Sequence, residues 1–321
     1  MKSNEPGAWA AWPVLSGPRR AAVLPPGASM IAVTAASGRL GRATLHALAR
    51  LYPEQPRIAV LRSPGKLADL PGIEARPGDY ASIESMTLAL KGVRAMVLVS
   101  APAIGGLDRI TLHRNALEAA RRAGVRRVVY TSVIGNGTEM QTAFAATQHA
   151  NRQTEQDLAA AGFEWIVARN GFYLDIDVDI LRAANARGFY ESSSGDGRCG
   201  YISIAELGFA TAHLVAGERA AQRAYNLVGE SISVPALTQL ANEIFGLNVE
   251  YHLLTDQQKL EQSRADLRVL ARGGEEIAQM FAGLMQGQRL GAFDVPSDFA
   301  AAAGRPCRSM REMLLGLAAK G

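Results

Sequence analysis

The sequence predicts an α/β protein, a doubly wound parallel sheet carrying a smaller C-terminal lobe, and three observations lead there. Through the first half of the chain five apolar runs alternate with helix-periodic segments. Their connections are short, so right-handed parallel crossovers are expected. The run Ala95 to Val99 is apolar without interruption, as a strand buried on both faces must be.

The first strand is Ile31 to Thr34. Ala35 to Gly41 supplies small residues at a tight turn, and Leu40, Ala43, Ala47, Leu48 and Leu51 recur at helical spacing. A turn almost without side chains lets the backbone approach a pyrophosphate, and the free N–H groups and positive dipole end of the next helix favour the anion. Thr34, Ala35, Ser37, Gly38, Arg39, Leu40 and Gly41 are therefore candidate nucleotide-binding residues. The spacing is AxxGxxG, which also suits a plain strand-turn-helix; a second strand placed as a βαβ unit requires favours the nucleotide.

Arg57 to Leu61 is that second strand. In an NAD-preferring site an acid about twenty positions past the glycines accepts the ribose hydroxyls, whereas here position 62 is Arg, with Lys66 nearby. A guanidinium fits a 2′-phosphate, so the expected cofactor is NADPH; a solvated Arg at a strand end is the alternative. Ile73 to Ala75 reads as a weak third strand running into Gly78, Asp79 and Tyr80. Asp79 suits the adenine amino group or a cap on the helix Ile83 to Leu90. Ala95 to Val99 delivers Ser100, Ala101 and Pro102 to the carboxyl edge, where a doubly wound sheet holds its cofactor. Asp108 to Ala123 is a helix stopped by Gly124, and Arg127 to Ser132 is the fifth strand.

Ile134 to Thr142 reads as a polar loop at a site mouth, followed by Phe144. Thr147 to Ala161 is helical. Trp165 to Ala168 then brings Phe172 and Tyr173 to the same edge, either to sandwich a flat acceptor or to form core between lobes. Ser192 to Gly200 reads as a loop able to move over the site. Ser203 with Glu206, and Ser309 with Glu312, match capping boxes. Ala224 to Val228 and Val249 to Leu254 read as strands, and Pro235 to Phe245 as a helix ending at Gly246.

Composition is that of an ordinary globular protein: 321 residues, 48% apolar and 20% charged. The basic excess is 34 − 30 = 4 charges, too scattered to imply nucleic acid. The cluster Arg121, Arg122, Arg126 and Arg127 suits a helix end. Cys199 and Cys307 lie far apart without a CxxC, as in a reducing compartment, so a cytoplasmic location is expected. No histidine spacing suggests a metal. No run of 18 apolar residues predicts a membrane helix. Residues 1–29 contain Arg19-Arg20, but Pro25, Pro26 and Gly27 interrupt what would be the apolar part of an export signal; a disordered extension is expected, with the core over 30–173 and the smaller lobe over 174–321, some segments returning to the core.

Taken together, VTAASGRLG (33–41), VLRSPGK (60–66), GDY (78–80), NALEAARRAGVRRVVYTS (115–132), TEQDLAAAGFEWIVARNGFY (154–173), AYNLVG (224–229) and GAFDVPSDFAAAAGRP (291–306) resemble the NmrA-like atypical short-chain dehydrogenases, in particular their NADPH:quinone and triphenylmethane reductases. The resemblance spans about residues 30–316 and implies a Rossmann-like domain binding NADPH, with the smaller lobe closing over the nicotinamide. Three departures stand out. Ala35 replaces the family's first turn glycine. The family's His or Lys, four residues before Glu155, is Asn151, which cannot act as an acid; His149 would serve only if turned inward. No YxxxK is present, while Ser132 keeps the strand-end serine. The expected function is hydride transfer to a quinone or similar planar electrophile, which forms a weakly basic oxygen. The alternative is a non-catalytic NADP(H) sensor with a protein partner. A homodimer fits either, and oligomeric state is left open.

Overall fold

The computed structural model describes residues 30–67, 72–102, 107–266 and 274–319. The expected extension over 1–29 lies outside the described residues. In the first half, β1 (Met30–Thr34), α1 (Arg39–Leu51), β2 (Arg57–Leu61), β3 (Glu74–Pro77), α2 (Ile83–Ala89), β4 (Val93–Val99), α3 (Arg109–Arg122), β5 (Arg127–Val133), α4 (Ala145–Ala160) and β6 (Glu164–Asn170) alternate as expected. The third strand begins later than its apolar signal, at Glu74 in place of Ile73. Ser82 caps α2 through the Ser85 N–H, so Asp79 is not the cap; it closes a turn by accepting from the Ala81 N–H at 3.0 Å.

After β6 come β7 (Phe172–Tyr173), α5 (Leu174–Ala184), β8 (Phe189–Ser192), β9 (Arg198–Ile202), α6 (Ile204–Ala216), β10 (Arg223–Leu227), β11 (Ser231–Ser233), α7 (Val234–Phe245) and β12 (Glu250–Leu253). The main sheet has seven strands in the order β10-β6-β5-β4-β1-β2-β3, and each of its pairs is parallel. The order reverses between β1 and β4, which opens a crevice at the carboxyl edge. A three-stranded sheet (β11-β9-β7) and a two-stranded one (β12-β8) build the smaller lobe.

The period of two along each strand divides the core between the sheet faces. Ile31, Val33, Ala95, Val97, Val129 and Ile166 point to one side, with Leu45 and Leu48 of α1 and Leu207 and Leu214 of α6. Ala32, Met96, Leu98, Val128, Tyr130 and Val167 point to the other, with Met86 of α2 and Leu112 and Leu117 of α3.

The stretch Ser192–Gly200 corrects an expectation. It is no mobile loop: Ser192, Ser193 and Ser194 are fully buried, the Ser192 carbonyl accepts from the Tyr251 hydroxyl at 3.0 Å, and Arg198 onward is strand. Its polar composition hides its burial because Ser192 and Ser194 bond each other and Tyr251 of β12, far along the chain, closes over them, while the Ser193 hydroxyl is buried without a partner. The Ser203 cap forms, but the Glu206 carboxylate leaves the box to take a bidentate pair from Arg305 at 2.7 Å. Ser309 and Glu312 complete theirs.

Candidate functional site

The crevice is built from the ends of β1, β2, β4, β5 and β6. At the β1 end the backbone turns through Ala35, whose φ of +46° is the left-handed conformation that glycine adopts without strain. Gly41 is fixed by close approach, since a Cβ there would lie 2.8 Å from the Ala35 carbonyl. Gly38 is the N-cap of α1 and has no side chain to give; the first turn holds no acid. Helices α2 and α3, by contrast, are capped by Ser82 and Asp108. The α1 terminus is thus left with its positive end unanswered, beside exposed Ser37, Gly38 and Arg39. Leu40 brings only backbone, its side chain being core.

Arg62 is exposed at the end of β2 and has no hydrogen-bond or ion-pair partner among the described residues. The β3 end lies beside it, the Gly78 N–H donating to the Leu61 carbonyl at 3.1 Å. Lys66 falls in the turn Pro64–Leu67, and its side chain lies outside the described residues.

Several expected cofactor side chains are consumed by the protein itself. Thr34 Oγ1 is fully buried, bonded to the β4 backbone and to the Tyr80 hydroxyl, and that hydroxyl also donates to the Val99 carbonyl at 2.8 Å. Burial raises the Tyr80 phenol, so it holds its proton. These two tie β1 to β4 and offer a nucleotide no side-chain group. Ser100 is half-buried and Pro102 exposed, but the Ala101 N–H donates to His113 Nε2 at 3.1 Å. Ser132 donates to the Glu155 carboxylate at 2.6 Å, which also takes Arg152 and Arg169, each at 2.5 Å. Burial raises the Glu155 carboxyl, but the Arg169 hydrogen bond, the Arg152 charge and Ser132 together hold it below its ordinary value. Ser132 is therefore an anchor in an ionic cluster, not a free hydroxyl.

Helix α4 decides between the two catalytic candidates. Two residues apart on a helix are about 200° apart, so they cannot share a face. Asn151 faces inward and is fully buried; His149 is exposed on the outer face and does not stand in for an acid. Asn151 Oδ1 accepts from Arg109 at 3.0 Å and from the Tyr130 hydroxyl at 3.2 Å, and its Nδ2 donates to Gln148 at 3.2 Å.

Arg109 is the residue sequence reasoning missed. It is half-buried at the start of α3, and no carboxylate lies within ion-pair distance of it among the described residues. His113, on the same helix, is pushed down to about 3 by burial and then by the Arg109 charge. It is a neutral core histidine: Nε2 accepts from Ala101, so Nδ1 donates to Thr154 Oγ1 at 2.9 Å, and Thr154 donates on to the Ala150 carbonyl.

The aromatic residues meet at the junction of the lobes. Phe144 is core, edge-on to Phe293 with centroids 5.7 Å apart, and so is not an open contact surface. Phe172, half-buried, packs on both Phe293 (4.9 Å) and Tyr201 (5.9 Å), while half-buried Tyr173 receives a long hydrogen bond from Asn170.

A sequence family described as NAD(P)H-binding matches residues 35–191. Quinone oxidoreductase 2 of Escherichia coli is 32% identical over 232 residues, covering 71% of this chain and 78% of the relative. The chain belongs to the NmrA-like NAD(P)H-binding oxidoreductases. The crystal structure of the NADPH-dependent quinone oxidoreductase from E. coli, complexed with NADPH, superposes with a TM-score of 0.78 at 26% identity over 90% of this chain and 99% of that one. The triphenylmethane reductase of Citrobacter sp., complexed with NADP(H), gives 0.77 at 26% identity over 90% and 99%. The residues present fit a dinucleotide: an uncapped helix end without acids, a glycine packed against a tight turn, and an exposed guanidinium at the end of β2 without a partner among the described residues. The protein is an NAD(P)H-dependent oxidoreductase. None of the described helices is long and apolar enough to cross a membrane, and among the described residues no metal-ligating cluster occurs.

Proposed function

We propose that this oxidoreductase uses NADPH to reduce quinones or comparable planar electrophiles. One observation carries the reading. Of the proton-bearing side chains at the sheet edge and on α4, Ser132, Tyr80 and Tyr130 are bonded within the protein and His149 is turned away, so no ionisable group there among the described residues is free to act as an acid. Such an edge suits an acceptor whose product oxygen is a phenolate, far less basic than the alkoxide from a simple ketone.

Bound NADPH supplies a hydride. Arg62 holds the 2′-phosphate, and the α1 N-terminus faces the pyrophosphate. Asn151 positions Arg109, whose remaining N–H groups have no partner among the described residues and are free to hold the nicotinamide end. Phe172 forms part of the wall against which a flat acceptor stacks. The small-molecule acceptor on this reading is planar and conjugated.

Fluorescence titration with NADPH, followed by loss of the reduced-nicotinamide absorbance on adding para-benzoquinone, tests this after subtraction of the uncatalysed rate. Tight binding with catalysed oxidation is the expected result. The amide at Asn151 favours a second reading, an NADP(H) sensor acting on a protein partner; binding with no oxidation across quinones and cationic dyes would select it. Asn151→Ala is expected to lower turnover more than NADPH affinity, and equal losses would confine Asn151 to holding the nucleotide.

A further inference from the structure

Three arginines converge on the edge formed by β4, β5 and β6, and their charges are not answered equally. Arg152 and Arg169 share the Glu155 carboxylate, and Glu139 lies 3.9 Å from Arg152, so two cations meet two anions. Arg109 is the third. Its one hydrogen bond among the described residues runs from Nη1 to Asn151 Oδ1 at 3.0 Å, which leaves four of its five N–H groups without a partner there. Helix α3 fixes where this guanidinium lies. His113, one turn further along the same face, meets the Ala101 N–H just past the end of β4. Because β4 and β5 are parallel, α3 runs back against them, and Arg109, about 5.4 Å nearer the helix N-terminus, stands beyond the strand ends, at the crevice. Ser100 and Thr131, joined at 3.0 Å, close the edge beneath it.

A chain of buried amides holds the guanidinium in place. Arg109 donates to Asn151 Oδ1, Asn151 Nδ2 donates to Gln148 Oε1 at 3.2 Å, and Gln148 Nε2 donates to the Glu139 carboxylate at 2.9 Å and to the Ile134 carbonyl at 3.0 Å. Asn151, Gln148 and Glu139 are all buried. Each donor points towards Glu139, so both amides have one orientation, and Arg109 is placed without being neutralised. A half-buried cation left without a counter-ion is costly unless an anion completes the site. On the reading above, the dinucleotide's own anions are met elsewhere, the 2′-phosphate at Arg62 on β2 and the pyrophosphate at α1, after β1. Its nicotinamide end then falls across β1 at β4 and β5, and carries no negative group. The anion that arises there is the one the reaction makes.

We propose that Arg109 is a further catalytic residue, the cation that stabilises the negative oxygen formed on a neutral quinone as it is reduced. The proposal rests on the reductase reading above. Hydride brings two electrons to the quinone, one oxygen gains the hydrogen, and the other becomes the anion of the hydroquinone, which takes its proton from water. One NADPH, one quinone and one proton give NADP⁺ and hydroquinone. Arg109 has donors enough for this oxygen and for the nicotinamide carboxamide together. A fixed cation acts where charge develops without giving up a proton, so the edge needs no acid. The same charge separates two classes of acceptor. A triarylmethyl cation enters positive and leaves neutral once hydride adds at its central carbon; it offers Arg109 no anion, and like charge opposes its entry.

The test compares wild type with Arg109→Gln, which keeps a donor for Asn151 but no charge, and with Arg109→Lys, which keeps the charge. For para-benzoquinone, kcat/KM is expected to fall roughly 10- to 100-fold in Arg109→Gln and much less in Arg109→Lys. Crystal violet should be reduced by Arg109→Gln as fast as by wild type, or faster. A second readout needs no turnover. In the NADP⁺ complex, where no hydride is available, bound para-nitrophenol is titrated by its phenolate absorbance; it should ionise about one pH unit lower, a tenfold shift, on wild type than on Arg109→Gln. An equal nitrophenol titration on the two proteins overturns the role of Arg109 and leaves the reductase intact. So does loss of NADPH affinity with equal losses for both acceptors in folded Arg109→Gln, which would put the guanidinium on the cofactor. Wild type that binds NADPH and reduces neither acceptor overturns both readings.

Discussion

Ala35 shows what one methyl does at a turn built for glycine. An L-residue at φ +46° brings Cβ against its own backbone, at a cost of about 1–2 kcal/mol. Ala35→Gly is therefore expected to raise stability by about 1 kcal/mol, less than the full strain because glycine also gains freedom when unfolded. Urea unfolding measures this, and an unchanged midpoint would show that the turn relaxes around the methyl. Arg62 is a separate matter: it is exposed and unpaired, so Arg62→Asp should shift the ratio of affinities from NADPH towards NADH with little change in stability. An unchanged ratio would remove it from the ribose site. The place of Arg62 at the end of β2 was legible in the sequence because it depends on a count of residues from a glycine. Arg109 was not, since what distinguishes it is a missing counter-ion among the described residues, a property that exists only once α3 and α4 have come together.

The same contrast holds among the elements. Strands β1, β2, β4, β5 and β6 lie within two or three residues of their apolar runs, because a strand covered on both faces leaves a continuous apolar signature; β3, the exposed edge, left only a weak one. Strands β8 and β9 left none: FYES and RCGYI mix polar and charged residues with their apolar ones, and their partners β12 and β11 come later in the chain. For α1, the uncapped N-terminus is the feature proposed to face the nucleotide. Gly38→Asp adds a cap of the kind Asp108 gives α3, and is expected to stabilise the nucleotide-free protein by about 0.5–1 kcal/mol while weakening NADPH binding roughly tenfold or more. A Cβ at 38 would sit 3.3 Å from the Ala35 carbonyl, a tight but tolerable contact. Thermal shift and titration together test the opposed signs; a gain in both would place the phosphates elsewhere.

Across the whole molecule, one buried and one half-buried group pull the pH dependence of stability in opposite directions. His113 sits near 3 when folded and near 6.5 when unfolded, so the unfolded chain takes up a proton first and stability is lost as pH falls below about 6.5. Asp177, on α5, is raised by burial to about 7, so its folded form holds a proton the unfolded chain has already released, and stability is lost as pH rises from about 4 to about 7. Asp177→Asn is expected to be more stable than wild type at pH 8 and equal to it near pH 4. A difference independent of pH would mean that charge is not what the burial opposes. Glu206, 3% exposed and gripped by Arg305, joins α6 to the C-terminal segment; Glu206→Gln should cost about 3 kcal/mol in urea unfolding, because it leaves a guanidinium facing a neutral amide.

The order of strands also bears on how the chain is made. Strand β6 ends at Asn170, but the neighbour that covers its outer side, β10, begins only at Arg223, after α5, β8, β9 and α6. During synthesis from the N-terminus, β6 therefore leaves the ribosome as a bare edge, and α1 waits for α6 to cover its apolar side. Through that interval the nascent chain exposes an unpaired strand and an uncovered helix, the surfaces on which chains stick to one another. The stretch from β7 to α6 is, in this sense, a delay written into the gene between one strand and its partner, and slower translation across it would lengthen the time a chaperone has to shield the edge.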